Sequence, residues 1–482
     1  MSRKDSQPKT MPEENQKGII KIITALAEFM KSDEIKQLAG KKAGNFTRSR
    51  KLPLFRLLLY LIFRHTTDTP SDLAYFFGSI DENESQPSRQ ALFSRLRCLR
   101  PEVWLSIMRK FVDLFYSIPV LVRTLKGYVV AAIDSSACEV PYSEEAKKRF
   151  GLHRSNHIKA PGDSPKTLAR CGGILDCLNR IFMDYTLYPY DRSEMSIILE
   201  QLKSLARHLV RMPMILLGDR GYISLQLMVF CQMLGFKFCF RAKRSTYKKE
   251  VGGMHSDDEY VHIRITKAIL SRITLPEVRS FLESLPFFEV RVVKSYWTNP
   301  KTGARELAIY FTNLSPEEFN TKEIIDLYGL RWNIEVAYKI MKEFVELERN
   351  ISRDVDTCLN TLYGKITYFN LTSLYREQFE LLFTQKKENL YEPQVNSKQM
   401  GVKLHAENLV GKMYKGDEDG LKKIILDINV VLNQYKVPIR PGRSYNRWGR
   451  RVLSSRQCRF RLDGRNEPKV ALASGVLRTV RP

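Results

Sequence analysis

The sequence predicts an α/β fold with a mixed β-sheet, preceded and followed by helical regions. Short apolar runs rich in β-branched and aromatic residues alternate with amphipathic segments between residues 126 and 245, as strands and helices do in an α/β core. Residues 1–125 contain helical patterns alone. A chain of 482 residues exceeds what one hydrophobic core supports, so we expect several domains.

The N-terminal region consists of apolar or amphipathic segments of helical length, such as GIIKIITALAEFMKSDEIKQLAG and LFRLLLYLIFRHT. The segment PSRQALFSRLRC places Arg89, Arg95 and Arg97 after a small polar start, as the reading helix of a helix-turn-helix does. A plain helical bundle with a solvated basic side fits the same spacing equally well. Under the first interpretation, Arg89 and Arg95 are candidate DNA contacts.

Five strand-like runs follow: GYVVAAIDSSACEVP, LARCGGILDCL, RIFMDYTLYP, MILLGDRGYIS and FKFCFRAKR. The helical stretches SEMSIILEQLKSLARHLV and LQLMVFCQMLG separate the last three. Two of the strands are predicted to end in Asp134 and Asp219. Because the carboxyl ends of neighbouring strands lie at one edge of an open sheet, we expect these side chains to meet in a shared crevice. Taken singly, each aspartate is more simply a turn residue at the end of a strand.

A second β-rich stretch lies between residues 246 and 319. YVHIRIT alternates polar and apolar residues, and FFEVRVVKSYW and ARELAIYFTN flank the turn signal TNPKTG. A structureless loop of this length is uncommon inside a compact domain. We therefore predict a small additional sheet inserted before the next helix.

The stretch YGLRWNIEVAYKIMK, residues 328–342, has the apolar rhythm of one amphipathic helix. At 3.6 residues per turn, its motif side chains fall within roughly 60° of arc; they are Tyr328, Arg331, Glu335 and Lys342. The opposite side would pack on the sheet and consists of Val336, Ala337, Ile340, Met341 and Phe344. A solvated helix face would show the same periodicity, so spacing alone makes these four polar residues candidates only.

The acids Asp134, Asp219 and Glu335 suit a metal site. Carboxylates without cysteine or histidine ligands favour hard cations such as Mg²⁺ or Mn²⁺, and two such ions can stabilise the attacking and leaving oxygens of a phosphodiester. Arg331 and Lys342 on the same helix face would hold DNA phosphates beside the ions. The Tyr328 hydroxyl could hydrogen-bond a phosphate.

The overall charge supports a polyanionic partner. The net charge is +25, from 78 Lys+Arg and 53 Asp+Glu residues, which favours nucleic acid over an anionic membrane surface. No apolar run reaches the ~20 residues of a membrane span, and the polar start lacks the apolar core of a signal peptide. The eight cysteines are scattered without a CxxC pair, so we expect an intracellular protein without a disulfide framework or zinc site.

The motif spacing resembles that of the DDE transposases of bacterial insertion sequences, in particular the cut-and-paste family with a Y-x2-R-x3-E-x6-K motif. Tyr328, Arg331, Glu335 and Lys342 match every position of that motif. LLGDRGYIS is similar to the second acidic block of the family, with Asp219 followed by Arg220, and AAIDSSACEVP is similar to the first, with Asp134. A departure is Ser135-Ser136, where Gly-Thr is frequent. The resemblance covers roughly residues 45 to 450.

The resemblance implies a ribonuclease-H-like catalytic core interrupted by a β-rich insertion. It implies that Asp134, Asp219 and Glu335 are catalytic and hold two Mg²⁺ ions per active site, for which Mn²⁺ can substitute, and that Arg220 contacts DNA. The expected activity is excision and integration of an insertion sequence at terminal inverted repeats, by phosphodiester hydrolysis and strand transfer into target DNA. A homodimer on paired ends, in the bacterial cytoplasm and at the nucleoid, is implied as well.

Trp297 ends one strand of the predicted insertion. Some members of the family stack an aromatic residue of the insertion on a base flipped from a DNA hairpin, and a splayed base needs such a flat partner. A tryptophan packed between sheets is the simpler interpretation and the one that the pattern favours. Trp297 is therefore a candidate DNA contact with a structural alternative.

We predict the following divisions: 1–125, a helical DNA-binding domain; 126–245, the first part of the core; 246–319, the insertion; 320–375, the second part with the Glu335 helix; and 376–482, a mostly helical, basic region for DNA contact and dimerisation. From residue 431 onward, 13 Lys+Arg stand against 2 Asp+Glu. Arg443 and Arg447 lie in this run, where aromatic residues alternate with arginines as in a phosphate-binding segment.

Two alternatives remain beside a transposase: a nuclease of the same fold without strand transfer, and a catalytically silent DNA-binding protein descended from a transposase. The complete acid triad and the complete Tyr-Arg-Glu-Lys set argue against the silent protein.

Overall fold

A computed structural model describes residues 10–47, 51–64, 68–80, 85–153, 166–208, 212–298, 303–348, 350–383, 393–431 and 436–438. The predicted DNA contacts Arg443 and Arg447 lie outside these residues. No helix among those described is long and apolar enough to cross a membrane.

The N-terminal region is helical, as predicted. Its helices are α1 (Glu13–Lys31), α2 (Asp33–Ala39), α3 (Leu54–Phe63), α4 (Thr69–Ile80), α5 (Arg89–Leu96) and α6 (Val103–Tyr116), followed by a 3₁₀ turn at Pro119–Leu121. Serines begin two of them: the Ser32 hydroxyl accepts the Ile35 N–H at the start of α2, and Ser88 accepts the Ala91 N–H at the start of α5.

The described residues of this region form a helical bundle in which the chain on either side of α5 is not the tight turn of a helix-turn-helix. The connections on either side of α5, residues 81–88 and 97–102, are longer than the roughly 3–4 residues of that motif. Arg95 donates from Nε to the Leu52 carbonyl oxygen at 3.1 Å and lies over the Phe46 ring at 4.5 Å. This half-buried arginine therefore fastens α5 to the bundle.

The central sheet is mixed, so the predicted α/β class is confirmed. Its strands are β1 (Val129–Val140), β2 (Leu152–His153), β3 (Lys166–Asp176), β4 (Ile181–Pro189), β5 (Met214–Gly218), β6 (Lys237–Ala242), β7 (Asp258–Arg264), β8 (Phe287–Thr298) and β9 (Arg305–Thr312). The order is β2-β3-β1-β5-β6-β9-β8-β7, with β4 also paired to β3. β1, β5 and β6 are mutually parallel, and the other pairs are antiparallel.

The β-rich insertion does not form the separate small sheet that the sequence predicted. β9 pairs antiparallel with β6 over Ile309–Thr312 and Cys239–Ala242, so β7, β8 and β9 extend the central sheet. The physical reason is that β6 would otherwise leave its second edge unpaired, and an exposed edge strand is unfavourable. Helices α10 (Lys248–Gly252), α11 (Lys267–Leu270) and α12 (Pro276–Glu283) lie between the strands of this part of the chain.

Asp134 lies inside β1 rather than at its end, contrary to the prediction. β1 continues to Val140 because its pairing with β3 extends that far, to the partner Thr167. The pairing with parallel β5 ends earlier, at Ala132 and Leu217. Asp134 therefore lies just beyond the point where β1 stops pairing with β5, while its pairing with β3 continues. The predicted position at the carboxyl end of β5 is retained, although β1 itself extends further.

Two adjacent glycines of β3 bring helices onto both faces of the sheet. Helices α7 (Glu144–Phe150), α8 (Glu194–His208), α9 (Leu225–Met233), α13 (Thr321–Gly329) and α14 (Trp332–Glu343) accompany the core strands. A Cβ at Gly172 would lie 2.5 Å from Ile197 of α8, and a Cβ at Gly173 would lie 2.6 Å from the Tyr338 hydroxyl of α14. Neighbouring strand residues point to opposite faces, so α8 and α14 cover opposite sides of β3.

The C-terminal helices join the N-terminal bundle to the core. They are α15 (Val355–Glu380), α16 (Ser397–Ala406), α17 (Leu409–Lys415) and α18 (Glu418–Val431), with a two-stranded pair β10 (Pro393–Val395) and β11 (Lys436–Pro438). A Cβ at Gly364 of α15 would lie 2.5 Å from the Leu61 carbonyl oxygen, which shows how closely α15 packs on α3. The expected boundary between residues 375 and 376 falls inside α15, because this buried helix belongs to both parts.

Candidate active site

The strand register brings Asp134 and Asp219 together. β1 and β5 are parallel, and Ala132 of β1 is the partner of Leu217 of β5. Each aspartate comes two residues after its member of that pair, so both lie just beyond the paired ends of two neighbouring parallel strands. Residues 85 positions apart in sequence thus share one end of the sheet.

Asp134 is half-buried and surrounded by negative charge. Burial raises the pKa of its carboxyl group to about 7, and the charges of Asp219 and Glu335 add to the rise. A hydrogen bond from the Ser135 backbone N–H to Oδ1 (2.8 Å) and the nearby Arg331 guanidinium oppose it. The site therefore concentrates carboxylates in a poorly solvated place, where a cation would offset the unfavourable charge.

Asp219 begins the turn between β5 and α9. Its Oδ1 accepts the Gly221 backbone N–H at 2.7 Å, which fixes the carboxylate against the turn, and Arg220 between them is exposed. The Ser224 hydroxyl then accepts the Leu227 N–H to begin α9.

The predicted single helix over residues 328–342 is divided in two. α13 ends at Gly329 and α14 begins at Trp332, because glycine weakens a helix and the chain tightens there. The Arg331 N–H donates to the Tyr328 carbonyl oxygen at 3.1 Å, an i to i+3 bond of the 3₁₀ type. The Tyr328 ring packs on Tyr310 of β9 with centroids 4.9 Å apart, and the Arg331 guanidinium lies over the same ring at 5.9 Å. Burial raises the pKa of Tyr328 to about 12.

The polar side of α14, not the expected apolar side, meets the sheet at the site. Glu335 pairs with Arg331 at 2.5 Å, the Tyr338 hydroxyl donates to the Asp134 carbonyl oxygen at 2.9 Å, and the Lys342 ammonium group donates to Ser136 Oγ at 2.9 Å. Lys342 also donates to the Ala137 carbonyl oxygen at 2.7 Å. Two of its three donors thus tie α14 to β1.

The residues expected to pack on the sheet divide between two environments. Ala337 and Met341 are buried, whereas Phe344 is exposed. Val336, Ile340 and Phe344 line a cavity of about 320 Å³ against α15 and α16. The prediction placed the whole apolar set on one surface, but α14 lies between the sheet and α15 and therefore has two packed sides.

Tyr338 and Gly173 were not among the site residues predicted from the sequence. Gly173 is the cross-strand partner of Asp134, and only a residue without a side chain allows Tyr338 to approach that position. A signal was present, since consecutive glycines inside the strand pattern LARCGGILDCL often mark close approach of another part of the chain.

The three predicted acids have the oxygen ligands that a hard divalent cation prefers. The charges of Asp219 and Glu335 are close enough to raise the pKa of Asp134, and carboxylate oxygens without thiolate or imidazole are the ligands that Mg²⁺ or Mn²⁺ prefers. Nowhere in the described ranges is a group of three or more His, Cys, Asp or Glu side chains arranged to hold a metal ion. Glu335 is engaged by Arg331 instead.

The remaining candidates lie on other surfaces. Trp297, near the end of β8, is 41% exposed, so it is not packed between sheets as the simpler interpretation expected. Arg89 is exposed, with its guanidinium over the Phe93 ring at 5.5 Å.

Comparison with known proteins decides the family. A family model described as "Transposase DDE domain" matches residues 125–371, about half of the chain. The chain belongs to the DDE transposase family. This protein is thus a DNA transposase, an enzyme of a family whose members are nucleases and strand transferases that use divalent metal ions.

Curated relatives of this DDE transposase carry matching names. It is 21% identical over 389 residues to the transposase for insertion sequence element IS1151 of Clostridium perfringens, covering 72% of this chain and 79% of that protein. It is 30% identical over 130 residues to the transposase for insertion sequence element IS231E of Bacillus thuringiensis subsp. finitimus, covering 26% and 27%. A solved structure of a piggyBac transposase synaptic complex with hairpin DNA matches at 13% identity and a TM-score of 0.38, covering 92% of this chain and 87% of that one.

Proposed function

We propose that this DDE transposase excises and integrates its element by hydrolysis and strand transfer at terminal inverted repeats, with Asp134, Asp219 and Glu335 as the catalytic acids. The observation that supports the assignment most strongly is the parallel register of β1 and β5, whose last paired residues, Ala132 and Leu217, each precede one of the two aspartates by two positions. α14 carries Glu335 to the same place, because Tyr338 of that helix bonds the backbone of Asp134.

We propose that the three acids hold two Mg²⁺ ions, for which Mn²⁺ can substitute. Bound there, the ions would supply the positive charge that activates a hydroxyl nucleophile and stabilises the leaving oxygen. The raised pKa of Asp134 supports a cation site, because burial and neighbouring carboxylates disfavour its charge in the protein alone.

Arg331 has two partners in this proposal. In the structure its guanidinium neutralises Glu335. With Glu335 among the residues that would hold the ions, the Arg331 guanidinium would be available to a DNA phosphate, which a guanidinium recognises well. Exposed Arg220 beside Asp219 is placed to contact the backbone of the same DNA. Tyr328 packs on β9 and Lys342 bonds to β1. We propose that both also contact the phosphates of the bound DNA.

We assign the core to the ribonuclease-H-like class. The order β4-β3-β1-β5-β6, with antiparallel pairing on one side of β1 and parallel pairing on the other, supports that assignment. The five predicted divisions of the chain remain our proposal, with the last boundary moved beyond the end of α15 at Glu380.

The proposed partner is double-stranded DNA, both the inverted repeats and the target, bound by a homodimer on paired ends in the cytoplasm. The net charge of +25 supports a polyanionic partner. Trp297 is exposed and therefore accessible for stacking on a base. We propose it as a DNA contact together with Arg89.

Cleavage of DNA that carries the inverted repeats flanking the gene tests this proposal. Asp134→Asn, Asp219→Asn and Glu335→Gln should each abolish Mg²⁺-dependent cleavage and joining to target DNA, while DNA binding by gel shift persists. The matched control is Asp326→Asn, an exposed carboxylate of α13, which should cleave normally. Cleavage by any of the three variants at the wild-type rate removes that residue from the mechanism. Cleavage without joined products would instead indicate a nuclease without strand transfer.

A further inference from the structure

Glu194, the first residue of α8, contacts the strand that carries Asp134. Its Oε1 accepts a hydrogen bond from the Ser135 hydroxyl at 2.5 Å. The backbone N–H of the same serine donates to Asp134 Oδ1 at 2.8 Å. Asp134 and Ser135 point to opposite faces of the sheet, as neighbouring strand residues do. Glu194 therefore fixes the Asp134 segment from the face opposite the Glu335 helix.

Glu194 also reaches the turn that carries Asp219. A Cβ built on Gly221 would lie 3.1 Å from Asp219 Oδ1 and 3.5 Å from Glu194 Oε2, so both carboxylates lie close to that glycine. In the part of the chain that the structure describes, the hydrogen bonds of Glu194 involve Oε1, and Oε2 is the oxygen that faces the Asp219 turn. One side chain thus adjoins both aspartate segments.

Arg170 is the counter-ion of Glu194. Its Nη1 donates to Glu194 Oε1 at 2.6 Å, its Nε donates to the Tyr190 carbonyl oxygen at 3.0 Å, and its guanidinium lies over the Tyr190 ring at 5.0 Å. These contacts hold the Arg170 guanidinium in place on β3. Arg170 lies two positions from Gly172 and therefore on the same side of the sheet. Without an acid at position 194, the positive charge of Arg170 would lose the ion-pair partner that it has at Ser135, the residue next to Asp134.

We propose that Glu194 is a positioning residue of the transposase site: it anchors Ser135 and neutralises Arg170, and thereby keeps Asp134 and Asp219 available to a divalent cation. This inference rests on the proposed function of the two aspartates. It assigns Glu194 no contact with DNA or with the reacting atoms. Supporting groups of this kind typically change metal affinity about 10- to 100-fold when they are lost.

Mn²⁺ binding to the full chain, measured by electron paramagnetic resonance of the free ion without DNA, tests the inference. Glu194→Gln keeps the size and the hydrogen-bonding atoms but removes the charge, and we expect it to weaken Mn²⁺ binding about 10-fold. Arg170→Gln combined with Glu194→Gln restores the charge balance and should recover most of the lost affinity. Glu200→Gln, on the same helix and paired with Arg192, is the matched control and should bind Mn²⁺ as the wild type does.

The variants separate the possible failures. Unchanged Mn²⁺ affinity in Glu194→Gln overturns the inference, and so does a double variant as weak as Glu194→Gln, because charge compensation would then not be the cause. An equal loss in Glu200→Gln overturns it by showing a non-specific charge effect. Asp134→Asn serves as the reference for the proposed function: if that variant binds Mn²⁺ normally, the cation site itself is wrong, whatever Glu194 does. Gel shift with duplex DNA should be the same for Glu194→Gln and wild type.

Discussion

Replacing Gly173 with alanine tests how closely the Glu335 helix must approach the sheet. The new Cβ would lie 2.6 Å from the Tyr338 hydroxyl and 3.1 Å from Phe182, nearly an ångström short of an ordinary contact with the hydroxyl. Tyr338 is buried, and its ring packs against Phe182 and Tyr185 with centroids 5.9 and 6.2 Å away. The side chain cannot easily turn aside, so α14 must shift outward.

Two effects of different size follow from that shift. Overpacking of this kind costs about 1–3 kcal/mol of stability, which a chain with a core this large should tolerate. A displacement of about 1 Å of a catalytic group can lower the rate about 100-fold. We therefore expect Gly173→Ala to fold, to bind end DNA, and to cleave it about two orders of magnitude more slowly.

Tyr338→Phe supplies the second arm of a double-mutant cycle. It removes the hydroxyl that an alanine at 173 would strike, and it loses one hydrogen bond, to the Asp134 carbonyl oxygen, worth about 1 kcal/mol. In the phenylalanine background, Gly173→Ala should cost clearly less, because Cζ of residue 338 lies 3.4 Å from the new Cβ and only the 3.1 Å approach to Phe182 remains tight. The assays are thermal unfolding and single-turnover cleavage. Equal losses from Gly173→Ala in both backgrounds would refute the steric reasoning.

Three further predictions concern stability and DNA binding. Burial raises the pKa of Asp184 to about 6 from 3.8. The contribution of Asp184 to the free energy of unfolding is therefore fully present below pH 3.8 and is lost, by about 3 kcal/mol, as the pH rises through 6. Asp184→Asn should abolish this fall in thermal unfolding measured against pH, and an unchanged pH profile would contradict the prediction. Lys342→Ala should lower the free energy of unfolding by about 2 kcal/mol, because its charged hydrogen bonds to β1 are lost, whereas exposed Lys339→Ala should leave denaturant unfolding unaltered; equal effects would argue against the tether. Arg331→Ala should reduce the salt dependence of DNA affinity by about one counterion, and the same slope in variant and wild type would count against a phosphate contact.

The residue types of the site could be read from the sequence because they are constrained by chemistry. Three carboxylates separated by strands and a helix, with arginine and lysine at fixed spacing, indicate cation and phosphate chemistry wherever they meet. The positions of the strands and most helices also followed from local periodicity. The prediction failed where geometry depends on more than local periodicity: Asp134 lies inside β1 because β3 continues beside it, and the predicted single helix is divided because the chain tightens after Gly329.

The sequence by itself determined which acids, which basic residues and which elements this transposase has, because patterns of periodicity and spacing are local. The tertiary structure alone decided that the insertion extends the central sheet through β6 and β9, that the polar side of α14 faces β1, and that Glu194 and Arg170 adjoin the aspartates. These features depend on pairings between residues far apart in the chain. Their cause is the need to satisfy strand edges and to neutralise half-buried charges, which no single segment can do alone.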